Sequence, residues 1–350
     1  MNLSEPNITL KNISEVKDGG LKISLLKLLN EVFNKDKSDV RLKRTSNKIN
    51  SNYSKLLSVI ICTLNIGTSF LKAAESVLDQ EFPADKYEII VVNNSDTPID
   101  TDKLPHKIKV VDEPSKGLSK ARNSGAARAA GEYLLYIDDD AVANENLLFN
   151  MFNAFEDHKN YAIIGGQIFL RLPEPTPAVF LKGKEALWSG YTVPYKKFKE
   201  VCEQYEFPYG ACFGIRHSVL DSFGGFPEDY GRCGRDYAGG EETALCFMVK
   251  NSRLKIGIEP NASVCHNVAA ERFTKKHIQM TIRAGILTTY RLYLDGYSKN
   301  GWTKSYIDER IKIISAELKN IGQDSSSLLY FYKKCELDSF CESRTGRWWS

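Results

Sequence analysis

Three adjacent carboxylates, Asp138, Asp139 and Asp140, follow directly on the apolar run 133–137. Side by side they repel one another unless a cation or water relieves them, and hard divalent cations take such oxygens as ligands. At the carboxyl end of a buried strand, Asp138 and Asp140 would point to the same side, one toward a metal and one toward a sugar or ribose. A second stretch, Gly117-Leu118-Ser119-Lys120-Ala121-Arg122-Asn123-Ser124-Gly125, opens a helix. Its backbone donors, with Lys120 and Arg122 nearby, could receive a phosphate. An ordinary helix has the same composition, and the glycine spacing is not that of a P-loop. A third stretch, Gly239-Gly240-Glu241-Glu242, puts two carboxylates in the first turn of a helical run, next to its positive end. Helix-start preference alone would also place them there. His266 comes just past the strand-like run 262–265, with Arg272 six residues on. By itself a single histidine is more often structural than a metal ligand.

Groups spread this far along a chain need a sheet to gather them. Runs 57–62 and 87–92 are apolar and β-branched, separated by a helical stretch over 69–79, which makes a βαβ unit. A third strand over 107–111 precedes a helix around 119–130, and 133–137 is a fourth strand, ending at the three aspartates. Continuous apolar strands joined by helices indicate an α/β fold with a mostly parallel sheet covered on both faces. Ligands in such sheets bind beyond the carboxyl ends of the strands. Run 161–170 continues with strand character, 173–177 is broken by prolines, and 210–226 reads as strand, helix and Gly-Gly turn. The pattern is helical from about 264 to 294, and a polar helical tail from 306 closes on Trp348 and Trp349. Near the start, Leu21, Leu25, Leu28, Leu29, Val32 and Phe33 recur at helical spacing and predict a short amphipathic helix.

The chain has 350 residues, 42% of them apolar and 26% charged, which is the composition of a folded globular protein. Its net charge of +3 hides an asymmetry: residues 11–55 carry eleven Lys/Arg against five Asp/Glu. The excess reads as a solvated accessory segment, not as a nucleic-acid surface. Eight cysteines without a C-x-x-C pair, behind no secretory leader, point to reduced thiols in the cytoplasm. No apolar run approaches a membrane span, so any membrane contact, on the cytoplasmic face, must be peripheral.

Together these stretches resemble the family 2 glycosyltransferases over about 57–285, in the family's order. Matching segments are Ser58-Val59-Ile60-Ile61-Cys62-Thr63-Leu64-Asn65, Glu88-Ile89-Ile90-Val91-Val92-Asn93-Asn94-Ser95, the 117–125 stretch and Tyr136-Ile137-Asp138-Asp139-Asp140. Gly210-Ala211, Phe223-Gly224-Gly225-Phe226 and Gly240-Glu241-Glu242 follow. The resemblance implies a GT-A fold with N-terminal and C-terminal helical extensions: a basic extension over 1–55, a glycosyltransferase domain over 56–285 and a helical extension over 286–350. Within the domain, 56–160 would be the nucleotide-binding half and 161–285 the acceptor half. It further implies that Thr63 and Asn93 lie near the nucleotide base, Arg122 near the diphosphate, and Asn65, Asp138 and Asp139 at the nucleotide sugar. Asp140 and His266 would hold Mg²⁺ or Mn²⁺, and Glu242 would be the catalytic base. The family more often has Asp where Asn93 and Glu242 stand.

The reaction so implied is inverting transfer of a sugar from a nucleotide diphosphate donor to a hydroxyl acceptor, in polysaccharide or glycoconjugate synthesis. One base opposite the leaving group gives single displacement. An Asn93 carbonyl accepting from a pyrimidine imide would favour UDP or dTDP. A nucleotidyltransferase would instead want a Gly/Arg-rich loop after the first strand, which 62–70 lacks. A non-catalytic sugar-nucleotide binder or scaffold should have lost carboxylates that are all present here. Trp188, Tyr191, Tyr195 and Tyr205 suit either sugar stacking or core packing.

Overall fold

A computed structural model describes residues 54–345 apart from 102–103, 105–106, 204–205, 234–238, 299–301 and 322–326. All of them belong to one compact unit, Ile49–Ser350. The amphipathic helix expected over 21–33 and the rest of the basic segment up to residue 53 lie outside the described residues, as do Tyr205, Trp348 and Trp349.

Fully apolar strands sit where both faces of a sheet are covered, and β1 (Lys55–Thr63) and β2 (Tyr87–Asn93) do so at the centre of the first half. With β3 (Ile108–Asp112) and β4 (Gly131–Tyr136) they form the parallel order β3-β2-β1-β4. The sheet continues through β8 (Phe213–Arg216), β6 (Tyr161–Arg171), β9 (Lys255–Asn267) and β5 (Ala141–Ala143), with β7 (Lys199–Glu200) paired to β9. The long β6–β9 ladder is parallel, whereas the β4–β8, β6–β8, β5–β9 and β7–β9 pairings are short and antiparallel. The expectation of a mostly parallel sheet with helices on both sides therefore holds, and the antiparallel joins are what it did not contain.

Alternation along β1 sorts its side chains between two cores. Leu57, Val59 and Ile61 pack with Phe70, Ala74 and Val77 of α1 (Thr68–Leu78) and with Met151 and Phe155 of α3 (Leu147–Asp157). Ile60, with Ile90 and Val92, faces Ala121 and Ala126 of α2 (Leu118–Ala127) and joins Leu220 of α4 (His217–Ser222) and Leu245 of α5 (Glu241–Lys250). Gly131 starts β4 where a Cβ would lie 2.5 Å from the Ser58 amide nitrogen. That neighbour is backbone and cannot give way. Gly131→Ala should therefore destabilise by about 1–3 kcal/mol, read as an earlier urea midpoint; an unchanged midpoint would show that the strand pair accommodates the methyl group.

Two expectations for the second half need correction. The strand expected over 262–265 is the end of a 13-residue strand, β9, which continues past Pro260 through an irregularity opposite Gly166 and Gln167. Helix does not follow directly, because α6 begins only at Lys275 and runs to Leu294. It crosses residues 285–286 unbroken and packs with α8 (Leu328–Thr345), which in turn packs on α7 (Lys304–Ile321). Trp302, Ile307, Ile314, Leu318 and Phe340 form the core of these helices, with Trp302 stacked on Phe340 at 5.5 Å. Among the described residues no helix is long and apolar enough to cross a membrane, and all eight cysteines are unpaired.

Candidate active site

Parallel register aligns Thr63, Asn93 and Asp112 in a row at the carboxyl ends of β1, β2 and β3. The buried Thr63 hydroxyl donates to Asp139 Oδ2 at 2.5 Å and accepts from the Asn65 amide at 3.1 Å, so it ties the first strand's exit to the aspartate turn. A hollow of about 250 Å³ opens beside it, lined by Gly67, Thr68, Ser69, Phe70, Asp139 and the exposed Asn65. Asn93 behaves differently from the expectation. Its amide donates to Thr97 O at 3.0 Å and Asp112 Oδ1 at 2.8 Å, and its carbonyl accepts from the Ser95 amide at 3.1 Å and hydroxyl at 2.7 Å. The side chain is buried and spent on its own turn. The polar group it leaves toward solvent is the exposed carboxylate of Asp112.

Past β4 the turn of Asp138, Asp139 and Asp140 leads into β5, and antiparallel pairing of Ala141 with His266 brings β9 against it. Asp138, Asp140 and His266 thereby place one ligand atom each within 4.8 Å of one another. His266 Nδ1 lies 2.9 Å from the Trp188 carbonyl. A carbonyl can only accept, so Nδ1 carries the hydrogen and Nε2 faces Asp140 Oδ1 at 3.0 Å. Arg272 NH1 approaches His266 Nε2 at 3.5 Å and Asp140 Oδ2 at 3.9 Å. Burial would lower the His266 pKa, but the hydrogen bond and charge of Asp140 raise it above the usual imidazole value. Burial pushes Asp138 up as well, and Asp139 up to about 6, with the neighbouring aspartates adding to both. Two carboxylates and the Nε2 of one imidazole, gathered within 4.8 Å, are a donor set that fits a divalent cation. Trp188 itself is fully buried, stacked on Phe273 at 4.9 Å, and belongs to the core. It serves the site through its backbone, which no side-chain pattern could announce. Tyr191 is likewise held, its hydroxyl donating to Glu206 at 2.7 Å.

Arg122 does not reach toward open space. Only 3% exposed on α2, it donates from NH1 to Glu241 Oε1 at 2.5 Å and reaches Glu242 Oε2 at 3.4 Å, while NH2 lies 3.7 Å from Asp138 Oδ1. The start of α2 is covered too, since the Leu118 amide donates to Arg232 O and the Ser119 hydroxyl to Pro227 O. Of the two readings of 117–125, a phosphate-receiving helix start and an ordinary helix, the packing of 227–232 on its first turn favours the second. Of the paired glutamates, the Glu241 side chain is 2% exposed and the Glu242 side chain 18%. Burial pushes the Glu241 carboxyl up to about 7, and the Glu242 charge adds to it. Burial also opposes ionisation of Glu242, but Arg122 and the surrounding backbone amides outweigh it, so this carboxyl titrates below its usual value. The Gly210 amide donates to Glu242 Oε1 at 3.2 Å. A Cβ on Gly210 would collide with the Arg122 guanidinium and stand 3.0 Å from Glu242 Oε1. Gly210→Ala should fold normally yet lose turnover by about tenfold or more, since small displacements of reacting groups are costly; full turnover in that variant would mean the guanidinium can move freely.

A model of the family described as Glycosyl transferase family 2 matches residues 58–224. The chain is 24% identical over 208 residues to the glucosyl-dolichyl phosphate glucuronosyltransferase of Haloferax volcanii, covering 55% of this chain and 63% of that protein. It is 31% identical over 111 residues to the minor teichoic acid biosynthesis protein GgaB of Bacillus subtilis, covering 29% of this chain and 12% of that protein. The matched part thus spans less than two thirds of either relative. The mannosyltransferase PcManGT from Pyrobaculum calidifontis, solved in complex with GDP-Man and Mn²⁺, superposes with a TM-score of 0.55 at 14% identity, covering 94% of this chain and 95% of that one. The matched residues include all four strands of the parallel half, the aspartate turn and the Gly210 approach, so over 58–224 the chain is similar to glycosyl transferase family 2, and its fold is GT-A.

Proposed function

We propose that this chain transfers a sugar from a nucleotide diphosphate donor to a hydroxyl acceptor with inversion, assisted by Mg²⁺ or Mn²⁺. The observation that carries the proposal is the meeting of Asp138, Asp140 and His266 at the strand ends, joined through Arg122 to the half-open carboxylate of Glu242. Asp138, Asp140 and His266 would hold the cation, whose charge would stabilise the departing diphosphate. Thr63 and Asp139 border the hollow beside the first strand, where the nucleoside would lie. Glu242, ionised at neutral pH, would take the proton of the acceptor hydroxyl as that oxygen attacks the anomeric carbon. Glu241, deeper and harder to ionise, orients Arg122 instead.

The base reading moves with Asn93. Its carbonyl has no room left, so a pyrimidine imide would donate to the exposed Asp112 carboxylate that Asn93 holds. A UDP or dTDP donor remains the preferred reading on that ground. The unpaired cysteines suit a reducing compartment, and we place the reaction in the cytoplasm. Calorimetric titration of UDP, dTDP and GDP, each with Mn²⁺ and with EDTA, tests the donor site. Metal-dependent binding of UDP or dTDP is expected. Exclusive binding of GDP would refute the base preference, and equal affinity in EDTA would refute the metal site.

A further inference from the structure

We propose that Arg122 is the positioning residue for the general base, holding Glu242 and Asp138 from one buried guanidinium, and that it makes no contact with the donor's diphosphate. The inference rests on the reading of Glu242 as the base. Three features of the site argue for it. The guanidinium divides its nitrogens between two sides: NH1 toward Glu241 at 2.5 Å and Glu242 at 3.4 Å, NH2 toward Asp138 at 3.7 Å. A planar fork can span the base and the aspartate turn together, which a lysine's point charge cannot. Its position is fixed by apolar walls as well, with the Tyr136 and Phe226 ring centroids 6.0 and 5.5 Å away. Finally, Gly210 lies so close to it that only a hydrogen fits there, and the same glycine's amide donates to Glu242. A group with 4% of its side chain exposed has no free face for a ligand's phosphate.

One distance therefore couples the two halves of the site. Moving Arg122 displaces Glu242 relative to Asp138 without altering either carboxylate. Among the described residues, the titratable and charged groups whose charges act on Glu242 are Arg122 from α2, Glu241 and Cys246 from α5, Asp138 after β4 and Tyr209 beside Gly210. Arg122 is the one cation in this set among the described residues, so its charge favours the ionised form of Glu242 while its fork keeps Glu242 in place. These two contributions can be separated by substitution.

The test uses the full chain with Mn²⁺. UDP affinity is measured by calorimetry, and turnover by hydrolysis of whichever of UDP-glucose, UDP-galactose and UDP-N-acetylglucosamine is cleaved fastest. Arg122→Lys should keep the acid limb of the turnover profile in place but lower turnover about ten- to a hundredfold, because charge is retained and geometry lost. Arg122→Gln should lower turnover and also raise the acid limb by about one pH unit or more. UDP affinity should change by less than about threefold in both, and a thermal melt confirms folding. Should Arg122→Gln prove unstable, Gly210→Ala, which leaves the charge and crowds the guanidinium, should reproduce the Arg122→Lys result. A loss of UDP affinity greater than about tenfold would overturn the proposal in favour of a diphosphate ligand, and that binding result stands without turnover. Unchanged turnover and acid limb in Arg122→Gln would overturn it too, provided Glu242→Gln is inactive; if Glu242→Gln is fully active, the base reading itself has failed.

Discussion

Glu242→Gln should lower turnover by about a hundred- to ten-thousandfold, the span of general-base contributions, while leaving donor affinity nearly unchanged. The amide keeps the shape of the carboxylate and can still accept from the Gly210 amide, which lies 3.2 Å from Oε1. What it loses is basicity, so the effect should fall on the turnover number. Glu241→Gln should cost less, because Glu241 is buried, protonates far more readily than its neighbour and meets Arg122 and Glu242 from behind, with no open face of its own. Steady-state hydrolysis of a sugar nucleotide by both variants, alongside UDP titrations, checks the assignment. An inactive Glu241→Gln beside a normal Glu242→Gln would reverse the two roles, and two fully active variants would remove the pair from the chemistry.

Asp140→Asn should abolish the metal-linked part of nucleotide binding, weakening UDP in the presence of Mn²⁺ by about a hundredfold or more. Asp140 faces His266 Nε2 at 3.0 Å and lies beside Asp138, so its charge is central to the cluster. The main chain there is held independently, by the Asn267 amide donating to Asp140 O at 2.9 Å, and the β5–β9 pairing should survive the substitution. In EDTA the variant and the parent should bind UDP alike. If Asp140→Asn retains parental affinity with Mn²⁺, the cation is not held by this cluster. His266→Ala should follow Asp140→Asn in direction, and a variant that instead unfolds early with normal activity per folded molecule would mark His266 as structural.

How much of this was legible depended on the kind of signal. Strand β2 is legible almost to the residue because all seven of its side chains are buried and its centre is the apolar run 89–92. The first turn of α5 was legible as an acidic helix start, and the order of its two glutamates followed from the family's pattern. Strand β9 was cut short because Pro260 punctuates it, and only pairing with β6 and β7 reveals a strand on both sides of the proline. The three-residue β5 is too short to carry a period, yet it places His266 beside Asp140. The turn that occupies the Asn93 side chain, closed by Ser95 two residues on, leaves no mark in the apolar run ahead of it. The resemblance puts Arg122 near a diphosphate, and local composition allows that as readily as an ordinary helix. The carboxylates it meets come from α5, over a hundred residues later, and the packing of two helices is not written in either one alone.

The most direct test is the anomeric configuration of the first product. UDP- and dTDP-sugars of known configuration, incubated with the chain and Mn²⁺, can be followed by proton NMR before mutarotation scrambles the signal. Release of nucleoside diphosphate together with a sugar of inverted configuration, dependent on Mn²⁺ and lost in Glu242→Gln, is the predicted result. A first product of retained configuration would contradict single displacement by Glu242, and failure to cleave any of these donors, with metal or without, would contradict the proposed transfer itself.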